Sequence, residues 1–168
     1  MGKLRHIAMS VPDPWKTAEF YKYAFGMEVI GETDSSLAEG VFLSDGVINL
    51  ALLHFKSDEA SQGTGRDHIG LHHFGIWVDD PEVVQRRVEE AGGQWLMGEP
   101  DVKGGSFYEV KFHDPNGVIV DISPIGWGGA QKNPGAVGNE IGPSRGLVPK
   151  FAERRAAAAA EMATRTRK

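Results

Sequence analysis

At 168 residues, the chain is the size of one domain with room for a substantial core, and too short for two large independent ones. Its 40% hydrophobic and 24% charged residues are ordinary for a globular protein. With no cysteine, disulfides, thiolate zinc sites, iron-sulfur clusters and cysteine nucleophiles are excluded, so any metal must sit on imidazole and oxygen ligands.

The first strand-like run covers residues 7–11 and leads into Asp13-Pro14, where aspartate caps a helix and proline fits its first turn. A helix is expected over 14–25, with Ala18, Tyr21 and Phe25 on one stripe and Gly26 ending it. Strands are expected at 27–31, 40–44 and 47–54, followed by a polar linker around Ser57 to Gly65. Then the pattern starts again. His6-Ile-Ala-Met-Ser-Val-Pro-Asp-Pro14 aligns without gaps on His73-Phe-Gly-Ile-Trp-Val-Asp-Asp-Pro81. In the same register Ala24 falls on Ala91, Gly26 on Gly93, Gly31 on Gly98 and Glu32 on Glu99. The second half is expected to place a strand at 74–78, a helix at 81–91 and strands at 94–98, 106–112 and 117–123.

The fold class is therefore α+β, a single domain over 1–125 built of two β-α-β-β-β modules, 4–55 and 70–124, joined by a linker at 56–69. Residues 126–148 are rich in Gly and Pro and read as an irregular extension. Residues 149–168 form an Ala-rich, basic helix or tail. Trp15, Phe20 and Tyr21 read as core and inter-module packing.

The repeat gives His6 and His73 equivalent positions. An approximate twofold axis would bring both imidazoles to one cleft, which is the geometry of a metal site; the alternative is a pair of packed, hydrogen-bonded imidazoles. On strand alternation His6 shares a face with Ala8 and Ser10, and His73 with Gly75 and Trp77. The small neighbours among these, Ala8, Ser10 and Gly75, are expected to leave room for a substrate. Asp121 lies in the apolar run Val118-Ile-Val-Asp-Ile122, where an unpaired carboxylate is costly and a metal or another cation should compensate it. The alternative there is an edge-strand acid facing water. His72 alternates to the face opposite His73 and reads as a supporting or packing residue, His113 sits at a turn, and Gly104-Gly105-Ser106 reads as a loop near the rim.

Four motifs together carry a family resemblance: His6-Ile-Ala-Met-Ser-Val; Phe20-Tyr21 with Phe25-Gly26-Met27; Gly70-Leu-His-His73-Phe-Gly-Ile-Trp-Val-Asp-Asp80; and Phe112-His-Asp-Pro-Asn-Gly117-Val-Ile-Val-Asp121. Over residues 4–124 the chain resembles the vicinal oxygen chelate superfamily of glyoxalases, bleomycin-resistance proteins and extradiol dioxygenases. The resemblance implies paired modules curled into a cup with a mostly antiparallel sheet. It also implies one divalent ion, of iron, manganese, cobalt, nickel or zinc, held inside by His6, His73 and Asp121. The implied partner is a small substrate chelated through adjacent oxygens, and a homodimer is implied by analogy.

Two departures bear on the reaction. Similar glyoxalases and acyl-CoA epimerases place a fourth ligand, Glu or Gln, where this chain has Ala51. Similar extradiol enzymes place Tyr where this chain has Lys111, with a His upstream that is missing between 74 and 112. Lys111 and His54 are left as the acid-base candidates, His54 only if its strand bulges. The expected function is a metal-dependent isomerase or lyase that moves a proton next to a carbonyl. The alternatives are an Fe(II) ring-cleaving dioxygenase and a metal-free ligand-binding or resistance protein. Thiol transfer to fosfomycin is disfavoured by Ala8, where Thr is usual.

The net charge of -5 divides unevenly. Residues 150–168 carry six Lys/Arg against two Asp/Glu, leaving twelve against twenty-one in the body. That acidic body argues against nucleic acid as a partner. No stretch approaches the roughly 18 apolar residues of a membrane span, and the lack of cysteine fits a cytoplasmic location.

Overall fold

The computed structural model describes residues 1–98 and 109–167. The first module runs β1 (Lys3–Ser10), α1 (Pro14–Phe25), β2 (Glu28–Asp34), β3 (Ala38–Ser44) and β4 (Asn49–Phe55). The second runs β5 (Gly70–Trp77), α2 (Pro81–Glu90), β6 (Gln94–Met97), β7 (Val110–His113) and β8 (Ile119–Ser123). A 3-10 turn, Pro149–Phe151, leads into α3 (Ala152–Arg165). The expected rim loop at Gly104-Gly105-Ser106, and the start of the strand expected at 106–112, lie outside the described residues.

The two helix starts form as their sequences dictate. Asp13 accepts a hydrogen bond from the Lys16 N–H at 3.0 Å, and Asp80 accepts one from the Val83 N–H at 2.9 Å. In each case proline occupies the first turn, where its missing N–H costs nothing. Gly26 closes α1 at φ 69°, a left-handed position that suits a residue without Cβ.

Among the described residues, eight strands make one curled, unclosed sheet in the order β2-β3-β4-β1-β5-β8-β7-β6. The modules meet where β1 and β5 run antiparallel, and each of these strands pairs in parallel with the last strand of its own module. The internal symmetry is explicit in the register: Ala8 lies opposite Ala51 on β4, and Gly75 opposite Asp121 on β8.

Strand alternation sorts the first module into two packed layers. On the helix side Trp15, Ala18, Val41, Leu43, Leu50 and Leu52 form the core, joined by Phe151 and Ala158 from the tail. Inside the curl lie Ala8, Ala38, Ala51, Leu53 and Phe55. Trp15 is buried as expected, whereas Phe20 is 49% exposed and takes only an edge of the helix face.

Two elements depart from expectation. β2 continues through Glu32-Thr33-Asp34, past its apolar part, because Glu32 is neutralised in place. It accepts from the Trp15 indole at 2.9 Å, the Val148 N–H at 2.6 Å and the Arg155 guanidinium at 2.6 Å. The tail supplies that arginine by packing on its own chain. Phe151 meets the Trp15 ring at 4.5 Å and Lys16 pairs with Glu161 at 2.8 Å. Burying a Phe of this kind contributes about 1.5–3 kcal/mol, part of what holds α3 against the domain. No helix among the described residues is long and apolar enough to cross a membrane.

Candidate metal centre

β1 and β5 cross the middle of the sheet, so residues on their concave face point into the curl. His6 and His73 are both buried there, with Nε2 atoms 3.2 Å apart. Asp121 joins them from β8, its Oδ2 lying 3.3 Å from His73 Nε2. The three side chains offer one ligand atom each within 4.8 Å of one another.

The outer nitrogens of the two imidazoles are both tied down, and this fixes their tautomers. Asn49 donates its amide to the Gly128 carbonyl at 2.9 Å, so its Oδ1 must be the atom facing His6 Nδ1 at 2.7 Å. His6 therefore carries its proton on Nδ1 and leaves Nε2 bare. On the other side His72 Nε2 meets the Ser61 carbonyl at 2.8 Å, and a carbonyl only accepts. A neutral His72 then has a bare Nδ1, which can only accept from His73 Nδ1 at 2.7 Å. His73 Nε2 is bare as well. Burial holds all three imidazoles neutral near pH 7, lowering His6 and His72 to about 4 and His73 well below its ordinary value.

Two lone pairs thus face each other beside a carboxylate, with no proton between them. Asp121 Oδ1 is buried and has no hydrogen-bond partner among the described residues. Such an arrangement suits a cation. The donor set of two imidazoles and one carboxylate fits a divalent transition ion with open positions, and the carbonyl and amide behind the histidines are the supports such ligands need.

Lys111 on β7 pairs in register with Asp121 and donates to its Oδ2. Glu109 Oε2 lies 3.5 Å from the Lys111 ammonium, and Glu109 Oε1 accepts from the Trp127 indole at 2.5 Å. Burial pushes the Asp121 carboxyl up to about 7 against the pull of Lys111. Burial would also depress Lys111, but Asp121 and Glu109 outweigh it and hold the ammonium above its usual value. A metal needs the ionised carboxylate. Affinity for a divalent ion is therefore expected to fall as pH drops below about 7, by up to tenfold per unit for a one-proton competition. Calorimetric metal titrations from pH 8 to 5 check this; an affinity flat across that range contradicts it.

A cavity of about 160 Å³ opens on these groups, and its far wall is apolar: Leu37, Phe42, Ala51, Leu53 and Phe55. Ala51 occupies the symmetry position of Asp121, and Phe42, its cross-strand neighbour, that of Lys111. The polar chemistry is concentrated in the second module.

His54 is not part of this site. Its alternation carries it to the opposite face, into a separate cleft with Trp15, Glu39 and Arg154, and the register of β4 against β3 runs without a bulge. The room expected beside Gly75 is also taken. A Cβ on Gly75 would sit 2.5 Å from the Trp127 ring, which stacks on His6 at 4.9 Å and 7°. The extension that read as irregular thus forms part of the site, through Trp127 and through Arg145, which lines the cavity.

Sequence reasoning passed over Asn49, Glu109, Trp127 and Arg145. Asn49 carried a signal, being polar within an apolar strand. Glu109 did too, sharing a face with Lys111 by alternation. Nothing in a Gly- and Pro-rich segment marks Trp127 or Arg145.

A family model described as the Glyoxalase/Bleomycin resistance protein/Dioxygenase superfamily matches residues 3–122. The chain is similar to the mitochondrial methylmalonyl-CoA epimerase of Bos taurus, 32% identical over 130 residues that cover 73% of this chain and 74% of the relative. It is also similar to the ethylmalonyl-CoA/methylmalonyl-CoA epimerase of Cereibacter sphaeroides, 31% identical over 136 residues that cover 74% of this chain and 99% of the relative. Among solved structures, the methylmalonyl-CoA epimerase of Mycobacterium tuberculosis aligns with a TM-score of 0.59 at 16% identity, covering 89% of this chain and 91% of that one. The Streptomyces coelicolor epimerase in complex with 2-nitronate-propionyl-CoA aligns with a TM-score of 0.60 at 21% identity, covering 71% and 94%. These structural likenesses establish the curled sheet.

Proposed function

Because the chain belongs to the Glyoxalase/Bleomycin resistance protein/Dioxygenase superfamily, we propose that His6, His73 and Asp121 hold one divalent ion in an isomerase that moves a proton on the carbon beside a carbonyl. The pair of bare imidazole nitrogens facing each other at 3.2 Å carries this reading. Epimerase names among the curated relatives support the reaction class. The substrate is a small acyl compound with a second oxygen function next to the reacting carbon.

The bound ion would polarise the carbonyl and stabilise the negative charge that develops on its oxygen. The chain's own residues do the rest. Phe42, Ala51, Leu53 and Phe55 receive the apolar part of the substrate and exclude water from it. Glu109, kept ionised and pinned by the Trp127 indole, takes the proton from carbon. The Lys111 ammonium, 3.5 Å from that carboxylate, returns one, and a transfer between the two resets the pair. Arg145 adds a positive charge to the wall and suits an anionic end of the substrate.

Glu109→Gln is expected to retain one metal ion per chain. It should lose about 10²–10⁴-fold in solvent proton exchange at the substrate carbon, the usual contribution of a positioned base. Exchange followed by NMR in D₂O with 2-substituted acyl thioesters measures it; full exchange in the variant would remove Glu109 from the mechanism.

A second reading uses the same three ligands. Two histidines and one carboxylate also suit non-haem iron and O₂. Iron-loaded protein prepared without oxygen would then consume O₂ with catechols, whereas the isomerase reading predicts no consumption.

A further inference from the structure

We infer that Lys111 is a built-in counter-ion of Asp121 which must release the carboxylate when the metal arrives, so that this ion pair sets the metal affinity of the site. The inference rests on the metal reading above.

β7 and β8 place Lys111 directly opposite Asp121, with the two side chains 9% and 0% exposed. The ammonium holds Asp121 Oδ2, the oxygen that also lies 3.3 Å from His73 Nε2. An ion shared by His73 Nε2 and that oxygen would stand against the ammonium in a buried place where little water screens the repulsion. One cation must yield. Lys111 has somewhere to go: Glu109, two residues earlier on the same face, presents Oε2 3.5 Å from its Nζ. The ammonium can move from one carboxylate to the other without leaving the cavity.

The fold itself does not require a cation here. In the first module the equivalent cross-strand pair is Phe42 and Ala51, neither of which carries a charge, and the nearby Arg145 guanidinium lies over the Phe42 ring at 5.1 Å with no ion pair between the two. Lys111 is therefore a local feature of this half. It balances Asp121 before metal is bound, and it makes the site bind metal more weakly than its three ligands alone would allow.

The test is metal affinity at pH 8 for metal-free wild type, Lys111→Met and Lys111→Arg, titrated with Zn²⁺ and Co²⁺. Lys111→Met should bind tenfold or more tightly than wild type, with a larger metal-induced rise in Tm, while Lys111→Arg stays within about threefold of wild type. An unchanged or weaker Kd in Lys111→Met overturns the inference while leaving the metal site standing. A wild type that binds neither ion overturns both. Should Lys111→Met fail to fold, lysine side-chain NMR of wild type decides, the Lys111 signal being the one lost in Lys111→Arg. It should shift on saturation with Zn²⁺; saturation without a shift overturns the inference.

Discussion

His6→Ala and His73→Ala are each expected to abolish stoichiometric metal binding and the activity with it. Each would remove one of the three ligands proposed among the described residues, and each leaves the remaining imidazole facing a void beside a buried carboxylate. The supports behind the ligands should matter less, and in a graded way. Asn49→Leu frees His6 to change tautomer, and His72→Phe does the same to His73. Each is expected to weaken metal binding by about 10–100-fold, the usual cost of losing such a partner. His54→Ala should change nothing, because His54 lies in another cleft. Equilibrium metal titration of the five variants measures the order. Wild-type affinity in His6→Ala and His73→Ala would mean that neither imidazole holds the ion.

Trp127→Ala is expected to have the largest effect on stability. The indole is 1% exposed, stacks on His6 and fills the space left by Gly75. A Trp→Ala change of this kind costs about 3–5 kcal/mol through lost contacts and the cavity left behind. At about 2–4 °C per kcal/mol in a domain of this size, Tm should fall by roughly 10 °C. Trp127→Phe keeps the stacking and loses the hydrogen bond to Glu109, so it should recover most of the stability while still impairing proton exchange. Thermal unfolding checks the first part; a drop of only a degree or two for Trp127→Ala would mean the extension adds nothing to the core.

The scaffold was legible because its signals are local or repeated. Asp13-Pro14 and Asp80-Pro81 announce both helices within a few residues. The pairing of His6 with His73 is visible because duplication wrote the same strand twice. Asp121 was legible through its apolar neighbours, and Ala51 only through the family resemblance, which expects a ligand there.

What escaped depends on partners far along the chain. The polar end of β2 falls outside the strand expected at 27–31, because the partner that neutralises Glu32, Arg155, comes 123 residues later. Trp127 can reach His6 only because Gly75 has no Cβ, a fit between three segments that no periodicity encodes. His54 was a candidate only if its strand bulged, and the unbroken register of β3 and β4 keeps it on the face turned away from the cup.

In the proposed function, two neutral imidazoles and one buried carboxylate are held for a metal ion. Elemental analysis of protein purified without chelators, or metal titration of the stripped protein, tests it most directly. The expected result is one divalent ion per chain, absent from His6→Ala and His73→Ala. A wild type that binds no divalent ion, or binds it equally well without these histidines, would contradict the account.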